Sequence, residues 1–270
     1  MNYPPAISAW FVAFIAAWVV ISLCLYGFLL LKLFIKGGKV GTELLGPPDA
    51  GLTCFFATWF CWLTYTGFTG KERAVTDSDI IAGAIHVTLI VLLIIAFLKF
   101  RKISVTTQFG LRPAGVVSAA FLALPLMAAA FPIVSCVGAL MIKLMGEGAK
   151  QQELVQFFTE ASKNGKVWPV ISTMTFGVFL APAAEEFIFR GYLYSTAKKY
   201  IGLFPAMILT SLLFAAIHLN VTSLPSLFVL AVCFTIAYET TGSILVPMAM
   251  HAIFNLGEFS LMLAFPHLQQ

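Results

Sequence analysis

The chain has 270 residues, 60% of them hydrophobic and only 10% charged, with a mean hydropathy of +0.95. Soluble domains are about a quarter charged, so this balance excludes an ordinary water-soluble globule and indicates a multi-pass membrane protein. The formal net charge of +4 belongs to the loops between apolar segments and reports orientation in a bilayer, not nucleic-acid binding.

A membrane span needs about 20 apolar residues. The first predicted span runs from about Ala6 to Leu31; it is too long for a signal-peptide core and has no basic leader, so it reads as a retained helix. Lys32, Lys36 and Lys39 open a loop that closes at Gly46-Pro47-Pro48, and the second span runs from about Gly51 to Phe68. The third spans about Ile80 to Leu98 and stops at Lys99-Phe-Arg-Lys102. The fourth, about Ala114 to Leu144, contains Pro125 and Pro132, each of which removes an intrahelical bond. Gly146 to Lys166 is polar, with Leu154, Phe157 and Phe158 spaced for a short amphipathic helix at the interface. The fifth span starts near Trp168 and continues as helix to about Tyr200, longer than a bilayer is thick. Three more follow: about Leu203 to His218, Leu224 to Glu239 and Ile244 to Phe265.

The expected fold is therefore an all-α polytopic membrane protein of about eight transmembrane helices. Residues 1–145 carry N-terminal spans with no legible motif, residues 146–166 form the polar interfacial segment, and residues 167–265 carry the chemistry on the last four spans. Loops one, three, five and seven hold nine basic residues (Lys32, Lys36, Lys39, Lys99, Arg101, Lys102, Arg112, Lys198, Lys199). The opposite side holds five: Lys71, Arg73, Lys150, Lys163 and Lys166. By the positive-inside rule the fifth span exits toward the cytoplasm, and access to its polar residues is expected from there. The five cysteines lie in apolar segments without zinc-type spacing and read as small packing residues.

The polar residues inside spans are the informative ones. Glu185, Glu186 and Arg190 fall within six positions of the fifth span, and ionisable groups at that depth cost at least roughly 2.5–3.5 kcal/mol each. Glu186 and Arg190 are four apart and share a helix face, whereas Glu185 is turned about 100° away. This predicts one carboxylate paired and structural, the other free to act as a base. His218 lies as far beyond the turn at Gly202 as Glu185 lies before it, so a hairpin sets them at nearly equal depth. His251 and Asn255, four apart on the last span, offer either an interhelical hydrogen bond or donors to a developing oxyanion. Counting from Gly242, however, puts His251 about 10 Å too shallow to meet His218, a gap that tilt or a recessed loop must close. His86 reads as a core histidine, His267 as part of the tail, and Glu239 and Glu258 as interfacial. Neither His-Glu-x-x-His nor Gly-x-Ser-x-Gly is present, and a pair of Ser243 with His251 is a remote alternative.

In order, the residues spell Glu185-Glu-x-x-x-Arg190, Phe214-x-x-x-His218 and His251-x-x-x-Asn255. Together with Phe-Arg-Gly-Tyr-Leu (189–193) and Thr-Gly-Ser-Ile-Leu-Val-Pro (241–247), they resemble the CAAX-processing and bacteriocin-processing (CPBP, or Abi) family of membrane proteases, which includes the Rce1-type endopeptidases. The resemblance spans about Trp168 to Glu258 and implies that Glu185 and His218 activate water and that His251 and Asn255 form the oxyanion site. Glu186 and Arg190 would support the first motif, and Phe214 the second. It implies a lipidated or hydrophobic peptide substrate met within membrane lipid, no nucleic-acid partner and, as the expected setting, a prokaryotic cytoplasmic membrane. No cofactor is expected, although Glu185, His218 and His251 are the set that a zinc ion would use. Some relatives act instead as bacteriocin self-immunity factors, so a non-catalytic immunity or scaffold protein is one alternative. A proton-coupled transporter using the intramembrane charges is another.

Overall fold

The computed structural model describes residues 9–70, 75–111, 115–149 and 151–265. Lys71, Arg73, Arg112, Lys150 and His267 lie outside the described residues. Among the described residues there is helix and no strand. Ten helices follow in order: α1 (Ala9–Lys36), α2 (Pro47–Thr69), α3 (Asp77–Phe100), the single turn α4 (Val105–Gln108), α5 (Gly115–Met145), α6 (Glu153–Lys163), α7 (Val167–Ile201), α8 (Leu203–Ala216), α9 (Leu224–Thr241) and α10 (Leu245–Ala264). Eight of them match the eight predicted spans. Six, namely α1, α3, α5, α7, α9 and α10, are long and apolar enough to cross a membrane. The 23-residue α2 is diluted by Thr, Trp and Tyr, and α8 has only 14 residues. Apolar side chains such as Trp10, Phe14, Phe121 and Phe179 point outward, as a lipid-facing surface requires.

Several boundaries differ from expectation for local reasons. The helix α1 runs through Lys32 to Lys36, because lysines in a last turn complement the helix dipole and reach water along their own stems. The helix α2 begins at Pro47 rather than Gly51, since prolines in the first turn lack only a donor that has no partner there. Pro125 and Pro132 lie inside α5 without ending it. Four of the five cysteines are exposed on the helix surfaces, and only Cys233 packs inside. The helix α8 stops at Ala216, and Leu219 in the left-handed region (φ 54°) turns the chain away just after His218.

At one end of the bundle the N-terminal loops grip the ends of α7 and α9. Glu239, expected at the interface, is fully buried there. Its carboxylate accepts from Tyr194 Oη at 2.5 Å, Lys198 Nζ at 2.6 Å and the Val40 amide at 3.2 Å, while its backbone carbonyl accepts from the Lys39 amide at 2.8 Å. Gly38 passes so close that a Cβ would collide with this carboxylate. Nearby, the buried Asp49 pairs with Arg101 and accepts from the Gly46 amide at 2.6 Å and Tyr192 Oη at 3.3 Å. Three nominal loop charges, Arg101, Lys198 and Lys199, thus serve as internal ties; Lys199 donates to the Leu45 carbonyl.

The α9–α10 turn is recessed beneath these loops. The Ile244 amide donates to the Phe109 carbonyl at 3.0 Å, and Ser243 Oγ to the Gly110 carbonyl at 3.1 Å. Ile244 and Val246 are buried. This buried turn starts α10 inside the bundle, and His251 lines the same cavity as His218. It also occupies Ser243, leaving no serine–histidine pair.

Gly110 has φ +66°, and a Cβ there would strike the Gly242 carbonyl oxygen. Gly110→Ala should therefore cost about 2–4 kcal/mol, from strain plus overlap. In detergent micelles it should lower the midpoint of thermal unfolding clearly, whereas Gly27→Ala, facing open space on α1, should not. An unchanged midpoint for Gly110→Ala would contradict the recessed turn.

Candidate active site

The helix α7 is not uniformly α-helical. Residues Phe176–Leu180 and Phe187–Tyr194 are π-helical, bracketing the α-helical turn Ala181–Glu186. Pro182 lacks an amide hydrogen, which favours rearrangement of the bonds just before it. Widened turns loosen carbonyls from their usual partners and commonly occur at functional sites. Here the Gly177 carbonyl accepts from Asn255 Nδ2 of α10 at 2.7 Å, and the Arg190 carbonyl accepts from Ser195 Oγ at 3.2 Å.

The two neighbouring glutamates are separated by this helix geometry. Glu186 is fully buried: its Oε1 accepts from Arg190 Nη1 at 2.7 Å and from His251 Nδ1 at 3.0 Å. Glu185 faces a cavity of about 1000 Å³, its side chain 19% exposed. The same cavity is lined by His218, His251 and Asn255, so all four sequence candidates for chemistry meet one space. Glu186 and Arg190 do not line it, and they occupy the structural position that their four-residue spacing suggests.

Each ring nitrogen has a distinct environment. His218 Nδ1 lies 2.8 Å from the Phe214 carbonyl, which can only accept, so Nδ1 carries the proton and the neutral ring keeps Nε2 as an acceptor. His251 Nδ1 is held by Glu186, which turns Nε2 toward Glu185 Oε2 at 3.9 Å. That separation is too long for a direct hydrogen bond and can be bridged by one water.

Phe214 links the three motifs. Its ring lies under the Arg190 guanidinium at 4.2 Å, packs edge-on against Phe189 at 5.4 Å, and contacts the rings of His218 at 4.9 Å and His251 at 5.8 Å. Phe234 of α9 covers Arg190 at 5.3 Å and His251 at 5.1 Å. A cation between two aromatic faces gains electrostatic stabilisation that lipid cannot supply. Sequence reasoning missed Phe234, which has no polar neighbour to mark it among the apolar residues of α9. Glu258, read as interfacial, follows His251 and Asn255 at i+7 and i+3 on the same face and also lines the cavity. That periodicity was available in the sequence. His86 lies elsewhere, half-buried against the Trp59 ring at 6.4 Å.

The cavity does not extend toward the side expected. Its walls include Val75, α6 and the Ile217–Asn220 turn, with Gln152 Nε2 donating to Ser223 Oγ at 3.1 Å across its rim. These segments lie at the end where α7 enters, opposite the loops that hold Lys39, Arg101, Lys198 and Lys199. The short α8 and the recessed turn close the other end. Among the described residues no three His, Cys, Asp or Glu side chains stand close enough to hold a metal ion. Glu185, His218 and His251 share the cavity wall without converging on a point.

The burial pattern separates the two glutamates energetically. Removing the charge of Glu186 would leave Arg190 buried without its counter-ion, a loss of about 3–5 kcal/mol. Glu186→Gln should strongly reduce stability to thermal or denaturant unfolding, while Glu185→Gln should shift it by less than about 1 kcal/mol. Equal losses from the two substitutions would refute the assignment of Glu186 as the structural carboxylate.

Comparisons with known proteins bear on this site. A Bacillus subtilis (strain 168) protein described as the uncharacterized protein YpbD is 36% identical over 104 residues, covering 37% of this chain and 50% of that one. The chain thus spans about half the length of the curated relative it matches. No solved structure matches the chain. The family model described as type II CAAX prenyl endopeptidase Rce1-like matches residues 166–257, the stretch that holds every motif residue of the cavity. The match over residues 166–257 is consistent with the CAAX-processing and bacteriocin-processing family that the motifs resemble.

Proposed function

We propose that the protein is an intramembrane endopeptidase in which Glu185 and His218 activate a water molecule for attack on a peptide bond. The observation that carries this reading is the meeting of Glu185, His218, His251 and Asn255 on one cavity within an Rce1-like domain. Glu185 accepts a proton from water as the oxygen adds to the scissile carbonyl carbon, with His218 Nε2 accepting a hydrogen bond from the same water. The carbonyl oxygen becomes an oxyanion within reach of the Asn255 amide hydrogen not committed to Gly177, and the imidazolium form of His251, with Nδ1–H given to Glu186, would add Nε2–H as a second donor. The tetrahedral intermediate collapses as the carbon–nitrogen bond breaks, and Glu185 returns its proton to the leaving amine. Glu186, Arg190, Phe214 and Phe234 hold the imidazole of His251 and the π-helical segment in register without touching substrate.

The substrate is a lipidated or hydrophobic peptide that reaches the cavity from the bilayer, in a multi-pass protein set in a prokaryotic cytoplasmic membrane. No step of this reading runs through a metal: the side chains offer a base, an acceptor and two donors around one water.

The test uses purified wild type and Glu185→Gln, with lipidated and hydrophobic reporter peptides analysed by mass spectrometry. Wild type should cleave at least one reporter, and Glu185→Gln should be slower by about 10²–10⁴-fold. Cleavage should persist with a strong chelator present. Cleavage by Glu185→Gln at the wild-type rate would sink the mechanism. Loss with chelator and recovery with added zinc would transfer the chemistry to a metal.

A further inference from the structure

His218 does not lie within a helix. The last residue of α8 is Ala216, and the chain then tightens. The His218 amide donates to the Ala215 carbonyl at 3.3 Å and the Leu219 amide to the Ala216 carbonyl at 3.1 Å, both three residues back. In a continued α-helix the His218 amide would take the Phe214 carbonyl instead. Here that carbonyl goes to the His218 ring, whose Nδ1 lies 2.8 Å away. The tautomer of His218 thus depends on the helix ending where it does. The residue that turns the chain away is Leu219, at φ 54°. The left-handed region is sterically unfavourable for leucine, so contacts outside the turn must hold it there.

Such a contact comes from α2. The Leu219 side chain lies against the bare backbone of Gly67, where an added Cβ would overlap both Cδ atoms and stand 3.1 Å from Cγ. The far side of the turn is pinned as well. Asn220 Oδ1 accepts from the Ser223 amide at 2.9 Å, and Thr222 Oγ1 donates to Met145 Sδ of α5 at 3.3 Å. Leu219 lines the cavity, whereas Gly67 does not. Resting on the protease reading, we infer that Gly67 and Leu219 are positioning residues for His218: the leucine, seated on α2, holds the left-handed turn that leaves the Phe214 carbonyl to the imidazole. Released from that seat, Leu219 returns to right-handed helix and the His218 amide recaptures the carbonyl. The ring then loses the partner that keeps Nε2 an acceptor.

Alanine replaces glycine inside a helix without penalty when nothing else is near, so a loss at Gly67 reports the contact. Purified wild type and variants are compared on a hydrophobic reporter peptide that the wild type cleaves. The value of kcat should fall severalfold in Gly67→Ala and about tenfold in Gly67→Val, with KM little changed. Gly51→Ala, facing open space on the same helix, should match the wild type. Leu219→Gly keeps access to the left-handed region but gives up the seat. It should lose a few fold, and adding Gly67→Val to it should cost nothing further. Independently of activity, NMR of histidine-labelled protein in micelles reads the tautomer, with the His218 signal assigned by its loss in His218→Gln. That signal should be the Nδ1–H form in the wild type and a mixture of forms in Gly67→Val. Should the wild type cleave no peptide, this change of tautomer alone upholds the positioning role while the hydrolase reading falls. A wild-type kcat or an unchanged His218 signal in Gly67→Val, or additive losses in the double variant, would overturn the assignment.

Discussion

The buried ion pair of Glu186 and Arg190 is the constraint around which the C-terminal half is organised. An arginine at this depth is expensive, and one carboxylate does not satisfy five donors. The remaining stabilisation comes from three other helices: the ring of Phe214 on α8, the ring of Phe234 on α9, and His251 on α10, which shares the same Glu186 oxygen. Each contact is geometrically demanding, so together they fix the rotation of α8, α9 and α10 about α7. The residues facing the cavity then have little choice of position. Glu185 faces it because Glu186 does not, and His251 presents Nε2 because Nδ1 is already held.

A second set of buried charges does comparable work at the far end. Glu239 and Asp49 each collect donors from chain segments distant in sequence, and both sit where the N-terminal loops cover α7 and α9. The N-terminal half is therefore a brace. It contributes little to the cavity lining, yet it sets how deep the α9–α10 turn lies, and so the level at which His251 enters the site. Arg101, Lys198 and Lys199 are spent on this brace, which is why a count of loop charges is a poor guide to which end of the bundle is open.

Much of this was legible in the sequence, because membrane burial makes polar residues conspicuous. The eight helices, the pairing of Glu186 with Arg190 and the common level of Glu185 and His218 follow from hydropathy and helical spacing alone. The depth of His251 did not, since a recessed turn depends on Gly110 and Ser243 meeting across 133 positions of chain. The π-helical stretches of α7 were equally hidden: Pro182 hints at a disturbed bond pattern but not at how the chain accommodates it. Glu239 is buried in an ion pair and Glu258 lines the cavity, and the sequence distinguished neither environment. A carboxylate near a span end looks solvated whether it faces water, a buried lysine or a cavity, and only tertiary contacts separate the three.

The brevity of α8 carries a consequence for the surrounding lipid. Its 14 residues rise about 21 Å, against a hydrocarbon core of about 30 Å. Ile208, Leu209 and Leu212 are exposed on its outer face, so acyl chains lie directly against it. Mismatch of this kind is relieved by thinning of the adjacent leaflet. Thinning there would bring headgroups and water closer to the Ile217–Asn220 turn, whose irregular backbone borders the cavity. A polar group reaching the cavity by that flank would shed less of its hydration than one crossing an undisturbed bilayer.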